Sequence, residues 1–210
     1  MAVAVIITIV AGYLLGNLNG AVVISKLMAH EDVRSKGSGN AGLTNFVRNY
    51  GAATSVFVIL IDMGKAVTAC LLGGFLLGAH GYYEEGVALG ALCVILGHDF
   101  PALLGFKGGK GIATSFGSLL FVFPVQALLA FTVFLILVGV THYVSVGSVA
   151  AAIVLPLLVV FTRFAQPQLW IITACIGASV VWRHRANIQR LMNHTESKLD
   201  FSKLKGSKKA

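Results

Sequence analysis

The stretch IATSFGSLLFVFPVQALLAFTVFLILVGVT (112–141) decides the fold. It runs for some thirty residues and carries Phe123-Pro124 near its middle. Proline removes a helical hydrogen bond and clashes with the preceding turn. The stretch is therefore either one long kinked helix or two short helices joined at Pro124. Around it lie clear apolar runs at about 2–25, 52–77, 86–104, 146–162 and 167–182. Charge counting separates the two readings. With two helices, Lys26, Arg34, Lys36, Arg48, Lys107, Lys110, Arg183, Arg185, Arg190 and the lysines from Lys198 to Lys209 share one side. Arg163 alone then falls in an outside loop, and Lys65 lies within a span. With one helix, the basic C-terminal region would be translocated, against the positive-inside bias. The reading is an all-α membrane protein of seven transmembrane helices, with the N-terminus outside and the C-terminus in the cytoplasm.

Composition agrees with a membrane setting. Apolar residues make up 57% of the 210 and charged residues 11%, about half the charge of a soluble domain. Several runs approach the ~20 residues that cross a hydrocarbon core. The first apolar stretch, MAVAVIITIVAGYLLGNLNG, lacks a basic start and a small-residue cleavage site, so it reads as a span and not a signal peptide. Residues 1–200 form one transmembrane domain, and 201–210 form a basic cytoplasmic tail. A net charge of +8 fits anionic head groups and anionic substrates, and with no soluble basic face it does not point to nucleic acid. Cys70, Cys93 and Cys175 lie inside apolar stretches and offer neither a disulfide framework nor metal spacing. No metal or cofactor is expected.

Three islands hold much of the charge: SKGSGNAGLTNFVRNYG (35–51), GHDFPALLGFKGGKGIAT (97–114) and RHRANIQRLMNHTESK (183–198). The first gathers Ser38, Asn40, Thr44, Asn45 and Arg48 among glycines, which let backbone N–H groups approach an anion. Ser38 or Asn40 equally suits the N-cap of a helix starting near Ala41. The second puts Lys107 and Lys110 around Gly108 and Gly109, ahead of an apolar helix. Lysine ammonium groups and helix N-terminal amides there suit a phosphate. The Walker spacing fails, since three residues separate Gly105 from Gly109 and Gly111 follows Lys110. Nucleotide hydrolysis is thereby excluded. His98 reads as a structural helix-end histidine. In the third island, His184 with Asn187 and Asn187 with Arg190 share a helix face. Within the second span, Asp62 and Lys65 are one turn apart and should pair. The polar cluster HYVSVGS (142–148) falls on the same side and suits the border of one pocket.

The segments GSGNAGLTNFVR, GHDFPALLGFKGGKGIATSFG and RHRANIQRL, with IDMGKAV in the second span, closely resemble the motifs of bacterial acyl-phosphate-dependent glycerol-3-phosphate acyltransferases. The likeness runs in order from about residue 12 to 200. It departs at Ala66, where glycine is usual, and at His194, where glycine often precedes Thr-Glu; Thr195 and Glu196 are therefore left outside the expected site. The resemblance implies a seven-helix bundle in the bacterial plasma membrane, with its active site facing the cytoplasm. It implies transfer of a fatty acyl group from acyl phosphate to the 1-hydroxyl of glycerol 3-phosphate, giving lysophosphatidate and phosphate. The donor would come from a separate enzyme that moves acyl groups from acyl carrier protein to phosphate.

Within that chemistry Ser38, His184 and Asn187 are the expected catalytic residues. Asn40, Thr44, Asn45, Arg48, Lys107, Gly108, Gly109, Lys110 and Arg185 are expected to hold phosphates, with Arg48, Lys107 and Arg185 directed to glycerol phosphate and Lys110 with the Gly108–Gly109 amides to the donor. No Ser-His-acid set with plausible spacing exists, so no acyl-enzyme is expected. The task is to position two anions and stabilise developing charge. A substrate phosphate is left to accept the hydroxyl proton. None of the six histidines has aspartate five positions on, which disfavours the thioester-donor acyltransferases. The rival readings are a transporter or flippase for a phosphorylated metabolite or lysolipid, and a non-enzymatic scaffold.

Overall fold

The computed structural model describes residues 1–199, and these are all-helical; the expected tail at 201–210 lies outside the described residues. The deciding stretch is two helices, α6 (Ile112–Val122) and α7 (Pro124–Thr141) in the numbering used below. Pro124 stands at the first position of its helix, where the missing N–H is no loss. Phe123 joins the two in non-helical backbone. The rings of Phe116 and Phe131, equally far from this joint, stack 4.4 Å apart. The chain therefore folds back on itself at Phe123-Pro124.

The first apolar run, read as one span, stays a single stretch over Ala2–Ala29 that is long and apolar enough to cross a membrane, but it is broken inside. Instead of one continuous helix it forms α1 (Ala2–Asn17) and α2 (Gly20–Ala29). The Asn19 side chain caps α2 by accepting from Val22 N–H at 3.0 Å. The following segment carries a 3-10 turn at Val33–Ser35 and the short helix α3 (Leu43–Tyr50). Then come α4 (Ala52–Gly78), α5 (Tyr83–Asp99), α8 (Val144–Thr162), α9 (Pro167–Arg183) and α10 (Arg185–Met192). Among the described residues, five helical stretches are long and apolar enough to cross a membrane, and Ile112–Val122 is a shorter apolar helix.

The α1–α2 break leaves backbone groups without helical partners, and α4 supplies them. Lys65 Nζ donates to the carbonyls of Leu18 at 2.6 Å and Gly16 at 3.2 Å. Asp62 Oδ1 accepts from Gly20 N–H at 3.1 Å. The two side chains form the expected one-turn ion pair, 2.8 Å apart and buried.

Helix α5 runs through the middle, packed on α1, α4 and α9; α4 also meets α6, and α7, α8 and α9 pack in sequence. Close approach depends on small residues, as in other membrane bundles. A methyl group at Gly86 would strike the backbone of Gly73 on α4, and one at Gly97 would strike Tyr13 and Gly16 on α1. One apolar core joins α4 through α9, and a second lies under α2 and α3 around Val33, Phe46 and Val58.

Candidate active site

A cavity of about 530 Å³ lies between α3, α4, α6 to α9 and the segment following α10. One end is polar and the rest apolar. Ser38, Asn40, Thr44, Asn45 and Arg48 contribute from the first island, Lys110 from the second, and His184, Asn187 and Arg190 from the third. All three islands thus reach one wall. Ser145 and Ser148 of the 142–148 cluster stand in the same wall.

The first island is shaped by Asn45. Its amide nitrogen donates to the carbonyls of Val33, Lys36 and Asn40, each at 3.0 to 3.1 Å, and its Oδ1 accepts from Ser38 N–H at 3.0 Å. One buried side chain therefore fixes the loop that carries Ser38 and Asn40. Helix α3 starts at Leu43 with Gly42 in the N-cap position, so neither Ser38 nor Asn40 caps it.

The third island forms a relay of polar contacts. Lys110 Nζ donates to Asn187 Oδ1. Asn187 Nδ2 donates to Glu196 Oε1 at 2.6 Å, which also accepts from Ser145 Oγ at 3.0 Å. Arg190 Nε reaches Glu196 Oε2 at 2.7 Å. Glu196, expected to lie outside the site, is instead a knot of its wall. The segment around it is strapped across the polar end: Arg48 Nη2 donates to Ser197 O at 3.1 Å, and Leu199 N–H to His142 O at 2.7 Å.

His184 Nδ1 lies 2.8 Å from Val180 O. A carbonyl only accepts, so Nδ1 carries the proton and Nε2 the lone pair. Burial, then the nearby Lys110 charge, pushes this imidazole down to about 4, so it is neutral near pH 7. Burial also pushes Lys110 down, to about 8, against the pull of the Glu196 carboxylate. Lys110 is thus still cationic at neutral pH. Glu196 is held below the ordinary carboxylate range. Burial opposes this, but bonds from Asn187, Arg190 and Ser145 outweigh it.

Lys107, Gly108, Gly109 and Arg185 are not part of the cavity wall. The carbonyls of Gly108 and Gly109 each accept from Arg183 at 2.9 Å, and Gly109 N–H is bonded to His98 O at 3.1 Å. The glycine pair thus ties the loop to α5 and α9. Lys107 is exposed beside a separate recess with Asp32 and Arg34. Arg185 is exposed and stacks on the Trp182 ring, 4.7 Å from its centroid. His98 is buried as expected, with Nδ1 2.8 Å from Lys65 Nζ, yet with Asp62 it also borders the cavity.

The family model for glycerol-3-phosphate acyltransferase matches residues 6–194. The chain belongs to the glycerol-3-phosphate acyltransferase family. The family's member from Clostridioides difficile (strain 630) is 41% identical over 201 residues, covering 94% of this chain and 97% of the relative. The one from Finegoldia magna is 43% identical over 190 residues, covering 89% and 92%. The fold is similar to that of PlsY (YgiH), an integral membrane glycerol 3-phosphate acyltransferase, in its glycerol 3-phosphate form, with a TM-score of 0.84, 32% identity and coverage of 94% and 96%. Against the lysophosphatidic acid form the TM-score is 0.79 at 31% identity, covering 95% and 97%. The chain is accordingly a multi-pass membrane acyltransferase.

Proposed function

We propose that this enzyme transfers a fatty acyl group from acyl phosphate to the 1-hydroxyl of sn-glycerol 3-phosphate, releasing lysophosphatidate and inorganic phosphate. The observation that carries the reading is the cavity itself. Arg48, Lys110 and Arg190 stand at its polar end, and it continues without a break into an apolar depth. One polar end suits two phosphates, and the apolar depth suits one long chain. The solved relatives, in glycerol 3-phosphate and lysophosphatidic acid forms, carry the acceptor and the product of this reaction.

The chemistry follows from what lines the wall. The acceptor hydroxyl oxygen attacks the donor's carbonyl carbon, and the bond from that carbon to the phosphate oxygen breaks. Lys110 and Arg48 hold the two anions, with Ser38, Asn40 and Thr44 as hydroxyl and amide donors. Asn187 aims Lys110. The Nε2 lone pair of His184 orients the hydroxyl, and its lowered basicity leaves the departing phosphate to take the proton. Positioning and charge stabilisation provide the acceleration.

The fold-back at Phe123-Pro124 supports seven crossings of the bacterial plasma membrane, with the N-terminus outside and this site on the cytoplasmic side. Residues 1–200 then form one domain. A transporter would need a route onward, whereas Asp62 and Lys65 hold the α1–α2 break.

Purified protein in detergent or lipid, given palmitoyl phosphate and glycerol 3-phosphate, should form lysophosphatidate and phosphate in equal amounts. Palmitoyl-CoA should not replace the donor. A folded sample that turns over only the thioester would refute the donor assignment.

A further inference from the structure

We propose that the apolar end of the cavity is a closed chamber that measures the acyl chain, with Ala127 against its floor and Phe123, Val159 and Leu169 forming that floor. The proposal rests on the acyl-phosphate reading above and names what sets the donor's length.

The depth can be read from the helices. On α8 the lining begins at Val144 and reaches Leu155 and Pro156; on α9 it runs from His184 back to Thr173. Each stretch covers about 16 Å at 1.5 Å per residue. One turn farther along each helix the lining stops, at Val159 and at Leu169, which are 0% and 1% exposed. At the α6–α7 joint, Phe123 closes the space in the same way, a turn beyond Leu119 and Ala127, at 3% exposure. These three large side chains belong to the same packed cluster as Leu119, Ala127 and Leu155. Four helices therefore close the space at one level. The hydroxyl of Thr173 donates to Trp170 O at 3.0 Å, so it adds no unpaired polar group at this depth.

A fully extended zigzag chain advances about 1.2 Å per bond, so 16 Å takes about a dozen bonds. For a donor presented as dissolved monomer, each methylene that leaves water for the chamber is worth about fourfold in kcat/KM. A methylene that meets the floor gains nothing, and a longer chain must bend or remain outside. Ala127 is the sensitive position. It is small, 2% exposed, and lines the space one turn from Phe123, so extra carbons there replace carbons of the substrate.

The test is a ladder of saturated acyl phosphates from eight to eighteen carbons at fixed glycerol 3-phosphate, with kcat/KM read at each length. For the unaltered enzyme, kcat/KM climbs with length and then breaks. Ala127→Leu moves the break to shorter donors and lowers the long-to-short ratio on the order of tenfold. Leu169→Ala moves it to longer ones. Ratios taken within one variant cancel any loss of folded protein. A break that stays at one length in both variants, or a profile without a break because the chain leaves sideways into lipid, overturns the chamber while the donor reading stands. An unaltered enzyme that uses no acyl phosphate at any length overturns both.

Discussion

Lys65 Nζ and Asp62 Oδ1 stand 2.8 Å apart in the interior, and between them they close both ends of the α1–α2 break. The ammonium takes the last carbonyls of α1, and the carboxylate takes the first amide of α2. A pair spaced for a local helical contact thus organises a junction more than forty residues away.

Removing one partner leaves the other charge buried and uncompensated, at about 3–5 kcal/mol. Asp62→Asn and Lys65→Met should each melt well below the unaltered protein in thermal unfolding in detergent. The double variant should recover some of the loss. A double variant as unstable as the two singles summed would mean that the charges act independently.

The lowered basicity of Lys110 fixes an alkaline limit. Its ammonium is charged well below pH 8, half charged near that value and neutral well above it. Affinity for an anionic substrate should fall accordingly, so kcat/KM should hold to about pH 7 and decline with a midpoint near pH 8. Bound phosphate favours the ammonium, so the matching limb in kcat should lie at higher pH. Lys110→Arg keeps its charge throughout this range and should lose the limb, whatever its absolute rate. A limb that survives at pH 8 in this variant assigns it to another group.

His184 makes the opposite prediction on the acid side. Held down to about 4, its imidazole does not titrate near neutrality. His184→Ala should lower kcat by roughly 10²-fold or more. It should not remove any acid limb near pH 6, where the second ionisation of a phosphate group lies. Loss of such a limb in the variant would make His184 the base.

Glu196 joins Asn187, Arg190 and Ser145, so its loss should misplace Lys110 through Asn187. Glu196→Ala should lower kcat/KM on the order of 10²-fold, the scale of a small misalignment at a reacting centre. Glu196→Gln, which keeps one acceptor, should fall in between. In the unaltered enzyme the anchor is present above the ordinary carboxylate range and weakens only as pH falls through the lowered value. Equal rates for Glu196→Ala and the unaltered enzyme would remove Glu196 from the site.

Much of this was legible in the sequence. Pro124 marks the break that gives α6 and α7, and local spacing groups His184, Asn187 and Arg190, which line one cavity. The α1–α2 break left a trace in GNLNG (16–20), whose two asparagines interrupt an apolar run, but hydropathy alone reads through it. Lys107 and Lys110 are equivalent by composition. They diverge in the structure because Arg183 on α9 holds the loop between them. Glu196 was set aside for an unusual neighbour, His194, while the three donors that converge on it come from α8 and α10. Such convergence is tertiary and leaves no local pattern.

Gln126 Nε2 donates to Thr162 Oγ1 at 2.8 Å, which sets the start of α7 level with the end of α8. From that level α8 rises 19 residues, whereas α6 rises only 11. At 1.5 Å per residue the difference sinks the Gly111 end of α6 about 12 Å below the Val144 end of α8. Lys110, next to Gly111, thus stands at the foot of a step about two helical turns deep, and a molecule that reaches it from the Val144 end must descend the α8 side of the cavity.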